Sequence, residues 1–537
     1  MQSVDTFSCV FAKYIFVEKK VICVITLSYN LLMRNAMDCS GKKEIIMKKK
    51  ITAILLAATA LSSAFALTGC SSHEDKRNTV YDIDATLSED YTLACSVTCD
   101  YVNNTDVPLS ELWFHLYPNA YRNGATYSPI PASKTYVAYP AGKSYSVLDI
   151  IDVEVNGNPV DVVITGTDEN ILSVSLPSAI DPTDSAKISI EYTVKLPNVK
   201  HRFGYADKVV NLANFYPRAC MYRDGAFVAD PYYSTGDPFF SDVADYNVKL
   251  TAPSKYTGAF TGTLTSKADE GGNTTYNIKA DNVRDFAAVF GEFEKMSGVA
   301  GSTIVNYYYT TDNEPERSLN AAIDAIKTFG DMFGAYAYPE YSVVQTSFIH
   351  GGMEYPGLSM ISDAYKGDPY IDIIVHETAH QWWYAAVGND EVRNAWLDEG
   401  LTEYSTMLFY QENTEGYAYT FDSKRADALT AYMLYCETYK HNGLDDISMT
   451  RAINEYDDDT EYSYMIYVKG ALMLDDVRNT IGDAAFMQAL KNYYADNKFA
   501  IAEPQNLIGA MENASHRKLE GLFNAWLDGN VKLYGGK

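Results

Sequence analysis

The stretch His376-Glu377-Thr378-Ala379-His380, followed by Trp396-Leu397-Asp398-Glu399-Gly400, decides how this chain is interpreted. Two histidines four positions apart on a helix project from one face, so both imidazoles can hold one tetrahedral metal ion. Glu377 points beside that metal and suits a general base for metal-bound water. Glu399, separated from His380 by 18 residues, supplies a third ligand. Three ligands and an open fourth position predict a catalytic zinc site rather than a structural one.

Apolar residues flank the two histidines, namely Ile373, Ile374, Trp382 and Trp383. They predict a buried helix, in which imidazoles without a partner would be costly. The alternative is a pair of histidines on a solvated helix face. Asp368-Pro369 has the form of an N-cap followed by proline at the first helical position, and Gly388 that of a C-cap. The metal helix is therefore expected to run to about Val387.

The length of 537 residues exceeds what one hydrophobic core supports and predicts two to four domains. From Cys70 onward the chain carries 34 basic and 66 acidic residues. This acidity argues against nucleic acid as a partner and against direct binding to anionic lipid surfaces. Cys95 and Cys99 lie in an alternating apolar stretch, so both should face a sheet core. About 13 Å of strand separates them, too far for a disulfide, and a metal-binding pair is the alternative.

Residues 47–69 have the composition of a bacterial lipoprotein signal peptide. A basic start, Met47-Lys48-Lys49-Lys50, precedes the apolar run 51–66, and Leu67-Thr68-Gly69-Cys70 resembles a lipobox. Cleavage would leave Cys70 as a lipidated N-terminus that anchors the protein to the extracytoplasmic face of a bacterial cell membrane. A transmembrane helix is the alternative, although the apolar run barely spans a bilayer. Residues 1–46 precede a complete signal peptide and are interpreted as a mis-called upstream extension, with translation starting at Met47.

Residues 70–80 are expected to form a tether and residues 81–297 a β-rich domain. Alternating or β-branched segments recur in this range between Asn-Gly, Pro and Asp turns, at 147–155, 170–176, 187–194, 245–250 and 274–278. Helical periodicity is nearly absent there. The domain is expected to be either a sandwich or an open curved sheet.

Residues 298–537 change character and predict a mostly helical domain with a small sheet. Strand patterns at 305–309 and 341–348 alternate with helical spacing at 314–333. Further helical spacing follows at 426–438, 465–480, 484–495 and 504–514. The fold class expected for the whole chain is multidomain α+β.

Four linked motifs resemble the aminopeptidase N and leukotriene hydrolase family of gluzincin zinc metallopeptidases. They are Gly351-Gly352-Met353-Glu354, the metal helix, the segment that ends in Glu399-Gly400, and Tyr467-Val468-Lys469-Gly470. The resemblance implies a saddle-shaped N-terminal domain and a thermolysin-like catalytic domain. It also implies one Zn²⁺ per chain, held by His376, His380 and Glu399, and the removal of N-terminal residues from peptides.

The resemblance gives roles to residues around the metal. Glu377 would take a proton from the metal-bound water and deliver it to the leaving amine. Tyr467 would stabilise the tetrahedral oxyanion, or else it is a packing residue. Glu403 lies one helical turn after Glu399 and would orient a ligand histidine, or else it is a solvated glutamate.

The motif at Gly351, Gly352, Met353 and Glu354 is implied to bind the substrate. Glu354 would hold the free α-amino group, and the glycines would let an extended peptide pair along this edge. One departure from the family is Tyr355, which stands where asparagine is usual.

The function expected from these residues is a zinc-dependent aminopeptidase acting on peptides with free N-termini. Two further departures bear on it. The second amine-binding group that the family supplies near Pro217–Asp230 is not recognisable, and no large C-terminal helical domain follows Trp526, which implies an open cleft. A zinc endopeptidase or epoxide hydrolase is therefore the alternative. An inactive peptide-binding lipoprotein is a third possibility, although the base, the ligands and the oxyanion donor are all present.

Overall fold

The protein's structure, a computed structural model, describes residues 77–442 and 447–534. The expected upstream extension at 1–46, the expected signal peptide at 47–69, Cys70 and the expected tether up to residue 76 lie outside the described residues. Within the described ranges, no helix has both the length and the apolar composition needed to cross a membrane.

Strands dominate the first half of the described chain, as its alternating sequence predicts. Their bounds are β1 Thr79–Leu87, β2 Thr92–Val102, β3 Leu109–His115, β4 Val147–Val155, β5 Asn158–Pro159, β6 Val162–Thr165, β7 Ile171–Ile180, β8 Ser185–Lys195, β9 Phe203–Ala206, β10 Val209–Ala213, β11 Arg218–Ala219, β12 Tyr222–Arg223, β13 Ala226–Phe227, β14 Ala244–Pro253, β15 Thr257–Phe260, β16 Thr263–Glu270, β17 Asn273–Val283 and β18 Ala287–Gly291. In the described part they are interrupted by one short α-helical turn, α1 Thr135–Ala138, and by 3-10 turns at Tyr117–Tyr121, Ala132–Lys134 and Thr167–Glu169.

These strands form one large and several small sheets. The large sheet has the order β16-β17-β14-β1-β2-β8-β4-β5, with β1 and β14 parallel and the other neighbours antiparallel. Two four-stranded sheets, β15-β18-β10-β9 and β11-β3-β7-β6, share one hydrophobic core with it. Cys95 and Cys99 are buried in this core as free thiols, as their alternation predicts.

The second half combines a five-stranded sheet with helices. Its strands are β19 Glu294–Ala300, β20 Thr303–Tyr309, β21 Glu340–Thr346, β22 Gly352–Met353 and β23 Leu358–Ser362, in the order β19-β20-β21-β23-β22. Its helices are α2 Pro315–Phe333, α3 Asp368–Ala379, α4 Glu391–Asn394, α5 Glu399–Glu412, α6 Phe421–Asn442, α7 Asp459–Tyr462, α8 Gly470–Ile481, α9 Asp483–Asn497, α10 Pro504–Ser515 and α11 Glu520–Leu527. The expected boundary between residues 297 and 298 falls inside β19, which pairs with β20 of this sheet.

The metal helix is shorter than expected. It ends at Ala379, so the expectation that it runs to about Val387 is wrong. His380 turns its Nδ1–H back to the Trp383 carbonyl, and Tyr384 has φ of +146°, which a helix does not allow. Gly388 is not a C-cap, because it packs on the β-rich half instead.

Arg284 joins the two halves at this turn. Its buried guanidinium donates to the carbonyl oxygens of Tyr384, Ala386 and Ala500 in the second half and of Ser241 in the first. A Cβ at Gly388 would lie 2.1 Å from the guanidinium carbon of Arg284, so glycine is required there.

Candidate active site and metal centre

The three predicted metal ligands converge. α3 carries His376 and leads into His380, and α5 begins with Glu399. The two Nε2 atoms are 3.2 Å apart, and Glu399 Oε2 lies 3.3 Å from His376 Nε2 and 3.1 Å from His380 Nε2. A tetrahedral zinc ion with ligands at 2.0–2.1 Å needs ligand atoms about 3.3 Å apart. The donor set therefore fits zinc in both type and spacing.

The Nδ1 atoms of both histidines contact polar groups outside the ligand set, as is usual for metal-binding imidazoles. His376 Nδ1 lies 3.3 Å from Glu403 Oε2, and His380 Nδ1–H donates to the Trp383 carbonyl at 3.0 Å. Lys424 Nζ lies 3.3 Å from Glu403 Oε1. Burial would raise the pKa of Glu403, but Lys424 and His376 lower it to about 2. Glu403 is therefore charged and fixes the orientation of His376.

The electrostatics of the ligand set favour a cation. Burial would lower the pKa of His376, but its hydrogen bonds to Glu399 and Glu403 raise it to about 9. Burial would likewise raise the pKa of Glu399, and the two histidines instead hold it below its usual range. Positive charge is thus stabilised where the three ligand atoms meet.

Tyr467 faces the metal ligands from a π-helical turn, Ser463–Lys469, a geometry frequent at functional sites. The Tyr467 ring meets the ring of Tyr462, the last residue of α7, edge to face, with centroids 5.8 Å apart. The Tyr467 hydroxyl donates to Glu399 Oε1 at 2.5 Å. Burial raises the pKa of Tyr467, so its hydroxyl stays protonated and remains a donor.

Glu377 lies between the metal ligands and the strand β22. It is buried, and its Oε2 has no hydrogen-bond partner among the described residues. A Cβ at Gly352 would lie 2.3 Å from Glu377 Oε1, so only glycine leaves space for this carboxyl. Burial raises the pKa of Glu377 to about 7, despite the opposing effect of the histidines. Such a group can both accept and return a proton near neutral pH.

The predicted substrate motif forms a sheet edge. Gly352 and Met353 make β22, the outermost strand of the five-stranded sheet, where backbone groups can pair with an extended peptide. Glu354 follows and is buried with Oε1 unpartnered among the described residues, and burial raises its pKa. Tyr355 donates its hydroxyl to Asn214 Oδ1 at 3.0 Å, which ties the edge to the β-rich half. Gly351 adjoins this strand and has more space around it than Gly352.

One residue near the metal ligands has no counterpart among the sequence predictions. Asp237 of the β-rich half has a carboxylate oxygen within 4.8 Å of oxygens of both Glu354 and Glu399. Arg202 forms a 2.5 Å ion pair with it. The structure thus brings Asp237, and no residue of Pro217–Asp230, to the cleft. Its only local signal is a Gly-Asp-Pro turn, which is common in loops.

A cleft of about 370 Å³ connects these groups. It is lined from the β-rich half by Lys134, Arg202, Gly236 and Asp237. From the second half come the three metal ligands, Glu354, Glu377, Tyr462 and Tyr467. The site therefore depends on both halves of the molecule.

Sequence comparison finds similarity between part of this chain and known peptidases. Residues 317–526 match the peptidase family M1 domain. Aminopeptidase N of Lactobacillus delbrueckii subsp. lactis is 26% identical over 262 residues, covering 45% of this chain and 30% of that relative. Human (Homo sapiens) aminopeptidase B is 31% identical over 192 residues, covering 34% of this chain and 28% of that relative. The chain thus spans less than a third of the length of these curated relatives.

Solved structures share the fold. The crystal structure of an M1 zinc metallopeptidase from Deinococcus radiodurans has a TM-score of 0.62 at 18% identity, covering 85% of this chain and 95% of that one. A mutant of that protein bound to a Tyr-Ser-Ala substrate has a TM-score of 0.61 at 19% identity, with the same coverage. The likeness confirms the expected fold class, a β-rich domain followed by a mostly helical peptidase domain. Residues 317–526 of this chain are therefore similar to the peptidase family M1 domain, and the relatives that match it include aminopeptidases N and B.

Proposed function

We propose that this protein is a zinc-dependent aminopeptidase that hydrolyses the first peptide bond of peptides with a free N-terminus. The observation that carries the proposal is Glu354, whose buried Oε1 has no hydrogen-bond partner among the described residues and whose carboxyl group lies near those of Asp237 and the metal ligand Glu399. A substrate ammonium group would supply N–H donors and a compensating charge there. The names of the relatives and the peptide bound to the Deinococcus radiodurans protein support the same activity.

The chain's residues divide the reaction between them. Zinc held by His376, His380 and Glu399 would polarise the scissile carbonyl and lower the pKa of a bound water to about 7. Glu377 takes the proton of the attacking water and delivers it to the leaving amine. Tyr467 turns its hydroxyl from Glu399 to the developing oxyanion, a contribution of about 3 kcal/mol for such donors.

The amine anchor sets which bond is cut. With the ammonium group held at Glu354, only the first peptide bond lies at the metal and at Glu377. A peptide with a free N-terminus should therefore be hydrolysed at least about a hundredfold faster, in kcat/KM, than its N-acetylated twin. Glu354→Gln should remove most of this preference. Equal turnover of the two peptides by the unmodified protein would contradict the proposal and favour the endopeptidase alternative.

The base can be tested separately from the anchor. Glu377→Gln keeps the size of the side chain and leaves the metal ligands in place. We expect it to bind zinc normally and to lose about 10²- to 10⁴-fold in kcat. Undiminished hydrolysis by this variant would overturn the mechanism.

We also propose one Zn²⁺ per chain and attachment of the protein to a bacterial membrane through lipidated Cys70, facing away from the cytoplasm. The first rests on the set of His376, His380 and Glu399, the one candidate group in the described residues that contains two histidines, and metal analysis should give one zinc per chain. The second rests on the signal-like stretch at 47–69. Cys70→Ser should release the protein from the membrane fraction. Peptides from residues 1–46 in the unprocessed precursor would contradict a start at Met47.

A further inference from the structure

Three carboxylates form a second cluster beside the zinc ligands. Asp237, Glu354 and Glu399 each place one oxygen within 4.8 Å of the others. All three residues are buried. Unlike the zinc set, this cluster offers oxygen atoms alone, the donors preferred by hard divalent cations such as Mn²⁺, Mg²⁺ and Ca²⁺.

Glu354, one member of this cluster, has a buried oxygen that lacks a hydrogen-bond partner among the described residues. Glu354 is 3% exposed, and its Oε1 accepts no hydrogen bond from the described residues. An unpaired buried carboxylate oxygen is unfavourable unless a donor or a cation compensates it. The cluster therefore has a position that a cation would fill.

The position of Asp237 is fixed by its neighbours. Arg202 is buried and pairs with the Asp237 carboxylate at 2.5 Å. The preceding Gly236 has φ of +66°, and a Cβ there would lie 2.8 Å from the Tyr462 hydroxyl. The loop is thus packed against the second half, which keeps the three carboxylates together.

The charge of the cleft favours a second cation. Its lining includes the carboxyl groups of Asp237, Glu354, Asp372, Glu377, Glu399, Glu403 and Asp459. The same lining contains Lys134 and Arg202, and Lys424 contacts two of the carboxylates, those of Asp372 and Glu403. A narrow cleft with this excess of acidic groups concentrates cations even after one zinc ion is bound.

We propose that Asp237, Glu354 and Glu399 bind a second divalent cation, which shares Glu399 with the zinc ion and occupies the place of the substrate's ammonium group. Carboxylates bridge metal ions about 3.5–4 Å apart in many two-metal sites. Here the second ion is inhibitory, because it removes the amine anchor that the proposed aminopeptidase function requires. The inhibitory effect, but not the ion binding, rests on that function.

Mn²⁺ is the probe, because its paramagnetic resonance signal reports free ion directly. Protein loaded with one zinc per chain is titrated with Mn²⁺, without substrate, and zinc content is measured afterwards to exclude displacement. We expect the unmodified protein to bind one Mn²⁺ per chain. Glu354→Gln and Asp237→Asn should each bind Mn²⁺ at least about tenfold more weakly than the unmodified protein. Asp372→Asn changes a carboxylate of the same cleft outside the cluster and should bind Mn²⁺ as the unmodified protein does.

Two outcomes would overturn the site: no Mn²⁺ binding by the zinc-loaded protein at millimolar concentration, or unchanged binding in both cluster variants. Asp237→Asn leaves Arg202 without its charged partner and can fail to fold for that reason. In that case, Mn²⁺ binding by Glu354→Gln alone decides whether the site exists. The binding titration needs no substrate and stands even if the protein is not an aminopeptidase. With a free-amine peptide, Mn²⁺ should raise the apparent KM and leave kcat unchanged. An unaltered KM despite Mn²⁺ binding would overturn the inhibitory role.

Discussion

Gly400 and Gly470 touch through their backbones: a Cβ at Gly470 would lie 2.9 Å from the Cα of Gly400. Gly400 follows the metal ligand Glu399 in α5, and Gly470 begins α8 directly after the turn that carries Tyr467. The contact lets the two helices approach closely enough for Tyr467 to reach Glu399. Because the obstructing atoms are backbone, a larger residue must separate the helices.

Gly470→Ala should therefore reduce both stability and activity. We expect a loss of about 1–3 kcal/mol in the free energy of unfolding, typical of an overpacked core. Displacement of the Tyr467 hydroxyl from Glu399 should lower kcat/KM by up to about a hundredfold. Denaturant unfolding and peptide hydrolysis at saturating zinc measure the two effects. Gly509→Ala in α10 is the matched control, since nothing lies within 4 Å of its Cβ, and it should be neutral or stabilising by up to about 1 kcal/mol.

Gly351 and Gly352 are a second pair of glycines, and substitutions at them should affect catalysis without affecting folding. A Cβ at Gly352 would lie 2.3 Å from Glu377 Oε1, whereas one at Gly351 would lie 3.5 Å from Ile373, an ordinary contact. The clash at Gly352 is with the Oε1, Cδ and Cγ atoms of the Glu377 side chain and not with backbone, so we expect Glu377 to move while the strand stays. Gly352→Ala should keep zinc binding and melting temperature but lose about 10²- to 10⁴-fold in kcat. Gly351→Ala should behave like the unmodified protein, and equal activities of the two variants would contradict this account.

Lys424 should increase the affinity for zinc although it is not a metal ligand. Its Nζ lies 2.8 Å from Asp372 Oδ2 and 3.3 Å from Glu403 Oε1. Lys424→Met leaves two neighbouring carboxylates without their cation, which raises the pKa of Glu403 and weakens its hold on His376. We expect zinc to bind about 10- to 100-fold more weakly, as measured by competition with a chelator. Arg425→Met, which removes an ion pair with Asp475 instead, should leave zinc affinity unchanged.

His115 should make the β-rich half sensitive to acid. Burial, aided by nearby Arg218, lowers its pKa to about 3. The unfolded chain has a histidine pKa near 6.5 and so binds more protons between about pH 6.5 and pH 3. Stability therefore falls as the pH drops through this window, by up to about 1.4 kcal/mol per pH unit. Unfolding at a series of pH values should show a shallower slope for His115→Gln than for the unmodified protein, whereas exposed His441→Gln should keep the original slope.

Local periodicity explains what could be predicted from the sequence. The i, i+4 spacing of His376 and His380 needs only a helix, and alternation around Cys95 and Cys99 needs only a strand, so both features follow from few residues. The helices and strands for which bounds were expected mostly lie close to them for the same reason. The end of the metal helix could not be predicted in this way. It depends on the Trp383 carbonyl, which bonds His380, and on Arg284, which lies far away in sequence.

Tertiary contacts also explain the residue that sequence reasoning missed. Asp237 reaches Glu354 only because Arg202 and Tyr462, from different parts of the chain, hold its loop in place. No spacing rule relates residues 202, 237 and 462. By contrast, Tyr467 could be assigned because a recognisable motif, Tyr467-Val468-Lys469-Gly470, fixes its position.

Arg284 gives the molecule a further property. One guanidinium donates to three backbone carbonyls of the second half and to one of the β-rich half. If the β-rich half were removed or exchanged, those buried carbonyls would lose their hydrogen-bond donor. The space beside Gly388 that the Arg284 guanidinium fills would then be empty. We therefore expect the second half to be unstable as an isolated fragment. A chimera that exchanges the β-rich half must keep an arginine at position 284, or else both halves must come from the same protein.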